Sequence, residues 1–159
     1  MSDKESILNK FIYVDMNDAQ ITTEEKTIIG TDSLATCIGV LLYSEDKRRA
    51  IVAHVAPDKL EITTKIAQLL VENDLVELPI KYKIISGYYD EHYNTKERLE
   101  KSFNCFIPFS EEEISDNAII RNEKYTSCEF VFDASTGKFI TEKDFFNNYH
   151  ETMNQKRGR

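Results

Sequence analysis

Cys37 and His54 stand seventeen positions apart, at the edges of two apolar runs with a charged turn between them. A thiol beside an imidazole is the minimum equipment for covalent acyl chemistry, because a thiolate attacks a carbonyl carbon far better than water does. A free cysteine has a pKa of about 8.5, which a neighbouring imidazolium lowers. On this reading His54 is first the ion-pair partner of the Cys37 thiolate. It then donates a proton to the leaving group and finally takes one from the hydrolytic water.

The two side chains meet only if the chain between them folds back. Ile38 to Tyr43 and Ala50 to Val55 are apolar segments of strand length around Ser44-Glu45-Asp46-Lys47-Arg48-Arg49, which predicts a hairpin. In an antiparallel pair the start of one strand lies beside the end of the other, so Cys37 comes near His54. Upstream, Phe11 to Met16 is a predicted strand, rich in aromatic and β-branched residues. Ile21 to Gly30 is a polar connector with a short extended piece at Thr27-Ile28-Ile29. Downstream, Leu60, Ile62, Ile66, Leu69 and Leu70 recur at helical spacing and predict an amphipathic helix over 59–73. A capping box at Asp58 and Glu61 opens it. Ile80 to Ser86 is a strand closed by Gly87, and Asn94 with Glu97 caps a second helix, Thr95 to Phe103.

The remainder reads as short pieces. Cys105 to Phe109 is extended, and Glu111 to Ile114 is one helical turn capped by Ser110. Asp116 to Asn122, Ser127 to Ala134 and Lys138 to Thr141 are strands, the last two joined at Ser135-Thr136-Gly137. Residues 142–152 are weakly helical. Many strands with two firm helices predict an α/β fold, a sandwich of mixed and antiparallel β-sheets with helices packed outside. The chain reads as a single domain over 1–159, frayed at about 1–10 and 153–159.

Composition narrows the function. Hydrophobic residues make up 41% of the 159, enough for an ordinary globular core. The formal net charge of −8 disfavours nonspecific binding to nucleic acid or to an anionic membrane. No apolar run of about 18 residues predicts a membrane span. The charged start, Met1-Ser2-Asp3-Lys4-Glu5-Ser6, shows no secretory signal. Three cysteines, an odd count, then argue for reduced thiols and a cytoplasmic setting. No Cys-x-x-Cys or His-x-x-x-His spacing predicts a metal site, and no glycine-rich phosphate loop predicts a nucleotide cofactor.

Family resemblance adds to this. Thr31-x-x-Leu34-Ala35-Thr36-Cys37-Ile38-Gly39-Val40, followed by Ala53-His54-Val55-Ala56-Pro57, resembles the chemoreceptor glutamine deamidase family, CheD. The match holds in residue type and spacing at Thr31, Cys37 and His54. Lys83 to Gly87, Asn94 to Phe103 and Phe130 to Lys138 resemble the family's later segments. Cytotoxic-necrotizing-factor-type toxins carry similar Cys/His chemistry and resemble CheD in fold rather than in sequence. The chain departs from the family where Ala35 replaces a glycine, Thr36 a serine, and Ser86-Gly87-Tyr88-Tyr89 a Gly-Gly-type segment.

The resemblance implies a cofactor-free protein-glutamine deamidase with Cys37, His54 and Thr31 as its catalytic residues. It implies chemotaxis-receptor helices as substrate and a CheC-type phosphatase as partner. An imidazole needs a third group to fix its tautomer and angle, and Thr31, through its hydroxyl or carbonyl, is the candidate. Backbone N–H groups near Cys37 would hold the oxyanion. Two rival readings stand beside this one. A toxin- or effector-type deamidase or transglutaminase would act on a host protein after secretion without a classical signal. A catalytically silent binding module would keep the fold alone.

Other residues carry blander expectations. Cys105 and Cys128 read as core, His92 as a loop residue and His150 as inert near a frayed end. Tyr88, Tyr89 and Tyr93 form an aromatic patch, either packed in the core or lining a protein-binding groove. The basic residues Lys156, Arg157 and Arg159 are too few to argue for nucleic acid.

Overall fold

A computed structural model describes residues 3–57, 59, 61–89, 95–106 and 119–157. The described chain runs α1 (Asp3–Asn9), β1 (Phe11–Tyr13), β2 (Asp18–Ile21), β3 (Ile28–Leu34), β4 (Ile38–Ser44), β5 (Arg49–Val55), α2 (Ile62–Glu72) and β6 (Lys81–Ile85). It continues with α3 (Thr95–Phe106), β7 (Ile120–Asn122), β8 (Ser127–Asp133), β9 (Lys138–Ile140) and α4 (Phe145–Arg157).

The strands form two stacked sheets with helices outside both, the mixed α/β sandwich that the sequence predicts. The first sheet has the order β1-β3-β8-β7, with β9 also paired to β8, and is mixed because β1 runs parallel to β3. The second has the order β2-β5-β4-β6 and is antiparallel throughout.

The period-2 alternation of β4 and β5 explains the layering. Both strands are apolar on both faces, as strands covered on two sides must be. Ile38, Val40 and Leu42, with Ile51, Ala53 and Val55, face out toward Ile62, Ile66 and Leu70 of α2 and Leu99 of α3. Leu41 and Tyr43, with Ala50 and Val52, face in and pack on Ile29, Leu34, Phe130 and Phe132 of the first sheet. On the far side of the first sheet, Phe11, Ile28 and Val131 pack against Phe145 and Phe146 of α4 and Ile7 and Leu8 of α1.

Several local expectations are revised. Asp18–Ile21, assigned in part to a polar connector, is strand β2. It is an edge strand, where polar residues such as Asp18 and Gln20 belong, and Asp18 bonds Lys65 of α2. Helix α3 continues through Phe106, so Cys105 is helical rather than extended. Helix α4 runs on to Arg157, through residues expected to fray. Its anchors are Phe145 and Tyr149, which meet the Phe11 ring edge-on at centroid distances of 4.8 and 5.1 Å. Helix α2 starts at Ile62, with Glu61 at its cap in helical backbone and no side-chain capping bond. The expectations for Asp58, Asn94, His92 and Tyr93, the turn Glu111 to Ile114 with its Ser110 cap, and residues 107–109, 116–118 and 158–159 lie outside the described residues.

Candidate active site

The second sheet supplies the imidazole. In the β4–β5 register His54 lies opposite Gly39 and Val55 opposite Ile38. Cys37 is the residue just before β4, the last of the three-residue link Ala35-Thr36-Cys37 that crosses from β3 to β4. Cys37 and Gly39 share a face, so Cys37 sits diagonally across from His54. Diagonal neighbours lie roughly 7–8 Å apart, within reach of long side chains. Cys37 and Ala56 belong to the inter-sheet layer, as the alternation requires.

Gly39 has a clear reason to lack a side chain. A Cβ there would meet the Phe130 ring at 2.6 Å and Leu34 at 3.2 Å. The position opposite the imidazole is thereby kept empty for the ring of the facing sheet.

The first sheet supplies the third group. Thr31 on β3 faces into the same layer, and its Oγ1 lies 2.8 Å from His54 Nδ1 and 2.7 Å from the Val14 carbonyl oxygen. A hydroxyl has one proton to give, and a carbonyl can only accept. Thr31 therefore donates to Val14 and accepts from Nδ1–H, which fixes the neutral imidazole with its lone pair on Nε2. That Nε2 is buried and has no hydrogen-bond partner among the described residues. A buried acceptor left unmade costs about 1–3 kcal/mol. The S–H···N bond to Cys37 is not formed in this structure.

Burial also acts on the imidazole. Burial holds the His54 pKa below its ordinary value, opposed by the charges of Asp32 and Asp15. Burial thus favours the neutral imidazole over the imidazolium that the ion-pair expectation calls for. Access is also restricted, since Thr31 is 0% exposed, His54 2% and Cys37 4%.

The residues after β6 strap the Cys37 link in place. Tyr88 N–H donates to Leu34 O at 2.9 Å and Tyr89 N–H to Ala35 O at 2.7 Å. Between them and β6, Gly87 presses so closely that a Cβ would lie 2.0 Å from Cys37 O and 2.6 Å from Ala35 O. Only glycine fits there. Outside the strap, Tyr88 stacks edge-on with Tyr89 and bonds Glu123, and the Arg121 guanidinium lies 4.1 Å over its ring. The tyrosines are half-buried at the rim of the sandwich rather than in its core.

A second polar cluster went unread in the sequence. On the outer face of the first sheet, Tyr13 donates to Asp32 Oδ1 at 2.7 Å and His150 Nε2–H to Asp32 Oδ2 at 2.8 Å. Burial and the Asp32 bond raise the Tyr13 pKa and keep its phenol protonated. Glu129 of β8 is buried nearby, its pKa pushed to about 7 by burial and by the Asp32 charge. The available signal was a carboxylate inside each of two mainly apolar strands, Asp32 in β3 and Glu129 in β8. His150, expected to be inert, is one of the anchors.

Cys128 is a buried core thiol, its pKa raised by desolvation. The side chain of Cys105 lies outside the described residues. Among the described residues, no group of three or more His, Cys, Asp or Glu could hold a metal ion. No described helix is long and apolar enough to cross a membrane. A cavity of about 490 Å³ lies at the other end of the β4–β5 hairpin, lined by Lys47, Arg48 and Arg49, away from Cys37 and His54.

No protein-family model matches the sequence. No curated protein matches it either. Among solved structures the chain is similar to the hypothetical protein YfiH of Bacillus licheniformis, at 14% identity and a TM-score of 0.41. The match covers 77% of this chain and 54% of that one, so the chain spans about half the length of YfiH.

Proposed function

We propose that the protein is a cysteine-dependent protein-glutamine deamidase. One observation carries the reading: the Thr31 hydroxyl, committed to Val14 O, fixes His54 so that a buried, unpartnered Nε2 lone pair lies on the face that bears Cys37. That is the arrangement a general base needs beside a thiol.

The steps balance as follows. Nε2 takes the Cys37 proton as sulfur bonds to the amide carbon of a glutamine side chain. The tetrahedral oxyanion collapses, the C–N bond breaks, and Nε2–H gives its proton to the departing ammonia. Water then attacks the thioester with Nε2 as base, and the proton returns to sulfur as glutamate leaves. Within the Cys37 link, the Ala35 N–H is taken up by Ser33 O at 3.1 Å, so it is not an oxyanion donor as it stands. Because Cys37 and His54 are buried, turnover requires the residues that cover them to open.

The sequence resemblance to CheD supports helices of chemotaxis receptors as substrate and a CheC-type phosphatase as partner. The test is incubation with a receptor cytoplasmic fragment and, in parallel, a eukaryotic cell lysate. The readout is the one-dalton gain of glutamine becoming glutamate, with Cys37→Ala as control. Conversion of the receptor fragment supports the receptor target, and conversion only in the lysate moves the target to a host protein. Equal conversion by Cys37→Ala removes the nucleophile.

The burial of Cys37 favours a second reading, a catalytically silent binding module. It predicts that iodoacetamide labels native Cys37 no faster than Cys128. The enzyme reading predicts selective labelling of Cys37 as its cover opens.

A further inference from the structure

We infer that Asp32 is a positioning residue for the Thr31–His54 pair, clamped from outside the sandwich by Tyr13 and by His150 of α4. The inference takes the importance of that pair from the function proposed above.

β3 and β8 pair at Thr31↔Phe130 and resume at Leu34↔Cys128, with the register shifted between them. Asp32 and Ser33 stand against Glu129 alone, two residues against one, which is a β-bulge. Ser33 takes φ 58°, a left-handed conformation uncommon for a residue with a side chain. The backbone just after Thr31 is therefore where the ladder does not hold it.

Side chains hold it instead. Successive strand residues point to opposite faces, so Thr31 turns inward to His54 while Asp32 turns outward beneath α4. Each Asp32 carboxylate oxygen has its own donor, Tyr13 Oη on β1 and His150 Nε2 on α4. The Tyr13 bond also ties β1 to β3, and the residue after Tyr13 is Val14, whose carbonyl accepts from Thr31. One carboxylate thus braces both ends of the Thr31 hydrogen-bond pair, the strand that carries the hydroxyl and the strand that carries its acceptor, alongside the Val14 N–H to Gly30 O bond at 3.0 Å. The groups facing Asp32 are Tyr13 from β1, Glu129 from β8, and Tyr149 and His150 from α4, with His54 behind the strand on β5. A displacement of about 1 Å is enough to lose alignment in a catalytic pair.

The test reads the imidazole without substrate. Nitrogen-15 NMR of histidine-labelled protein at pH 8 should show His54 of the wild type only as the Nδ1–H tautomer. In Asp32→Ala the Nε2–H form should appear and become the major one, and in Asp32→Asn, which keeps one acceptor oxygen for one of the two donors, the Nδ1–H form should return in part. Leu99→Ala, which weakens the core on the other side of the molecule, should lose stability and keep the wild-type tautomer. Should Asp32→Ala fail to fold, the Tyr13→Phe/His150→Ala double variant takes its place, since it removes both donors and leaves the carboxylate. A folded Asp32→Ala or double variant with an unchanged His54 tautomer would overturn the inference. Loss of the tautomer in Leu99→Ala would also overturn it, by showing that any destabilisation suffices. Because no turnover is measured, failure of the deamidase reading leaves this result standing.

Discussion

The Thr31 hydroxyl on β3 of one sheet accepts the Nδ1–H of His54 on β5 of the other, at 2.8 Å. The bond crosses the interface between the sheets, and its direction is set by the Val14 carbonyl behind it. The ring is thereby held in one tautomer by a group that cannot itself take up its proton. A carboxylate holds the corresponding place beside the imidazole in Ser-His-Asp triads; here the group is a neutral hydroxyl.

Replacing that hydroxyl should release the ring. We expect Thr31→Val to lower kcat about 100-fold with KM little changed, and Thr31→Ser to restore most of it. Rate measurements on a converted glutamine substrate decide this. A Thr31→Val protein with wild-type kcat would show that the bond orients nothing of importance.

His54 should make the fold acid-sensitive. Burial depresses its pKa from the ordinary 6.5. As pH falls through 6.5 the unfolded chain gains a proton that the folded chain refuses, and stability drops until the folded pKa is passed. The stability difference between wild type and His54→Gln should therefore move against the wild type between pH 7 and pH 5. Urea midpoints at stepped pH measure it, and a constant difference would contradict the buried, neutral imidazole.

Glu129 should act in the opposite direction. Its folded pKa of about 7 lies above the ordinary 4.5, so the folded state binds the extra proton between those values. Stability from this group is full at low pH and is lost as pH rises toward 7, reaching a penalty of about 3 kcal/mol at most. Glu129→Gln should be more stable than wild type at pH 8 and lose that advantage at pH 5. Thermal melts at the two pH values check it, and an advantage at pH 5 alone would reverse the sign.

Gly87 should tolerate no side chain. The 2.0 Å approach of a Cβ to Cys37 O means that Gly87→Ala must push the strap off the link. We expect a loss of about 1–3 kcal/mol in stability, with faster alkylation of Cys37 as it becomes exposed. Hydrogen exchange at the Tyr88 and Tyr89 amides reads the same event. Unchanged exchange there would mean that the strap does not depend on the contact.

Much of the placement of Cys37 and His54 was legible because the hairpin that carries them is local. Two apolar runs around Glu45-Asp46-Lys47-Arg48 predict the β4–β5 hairpin, and the hairpin brings Cys37 to the face of His54. The tautomer was not legible, because it depends on which sheet stacks on which and on a backbone carbonyl, Val14, that has no sequence signature. β2 was obscured because an edge strand tolerates Asp18 and Gln20, which read as loop residues. The bond from His150 to Asp32 joins residues 118 positions apart. Helix α4 carries little apolar periodicity, and its docking rests on a cluster of rings assembled from both ends of the chain.

The Thr31–His54 bond also has a temporal consequence. A nascent chain that has made only the β4–β5 hairpin already holds the sulfur and the imidazole, but the ring still turns freely. On the deamidase reading proposed above, competence would arrive only when the second layer closes over it, and an unfinished or half-melted molecule would be inert toward bystander amides. Reactivity would then report whether the two layers have docked, and it should vanish on warming together with the near-ultraviolet signal of Tyr43 and its neighbours rather than after it.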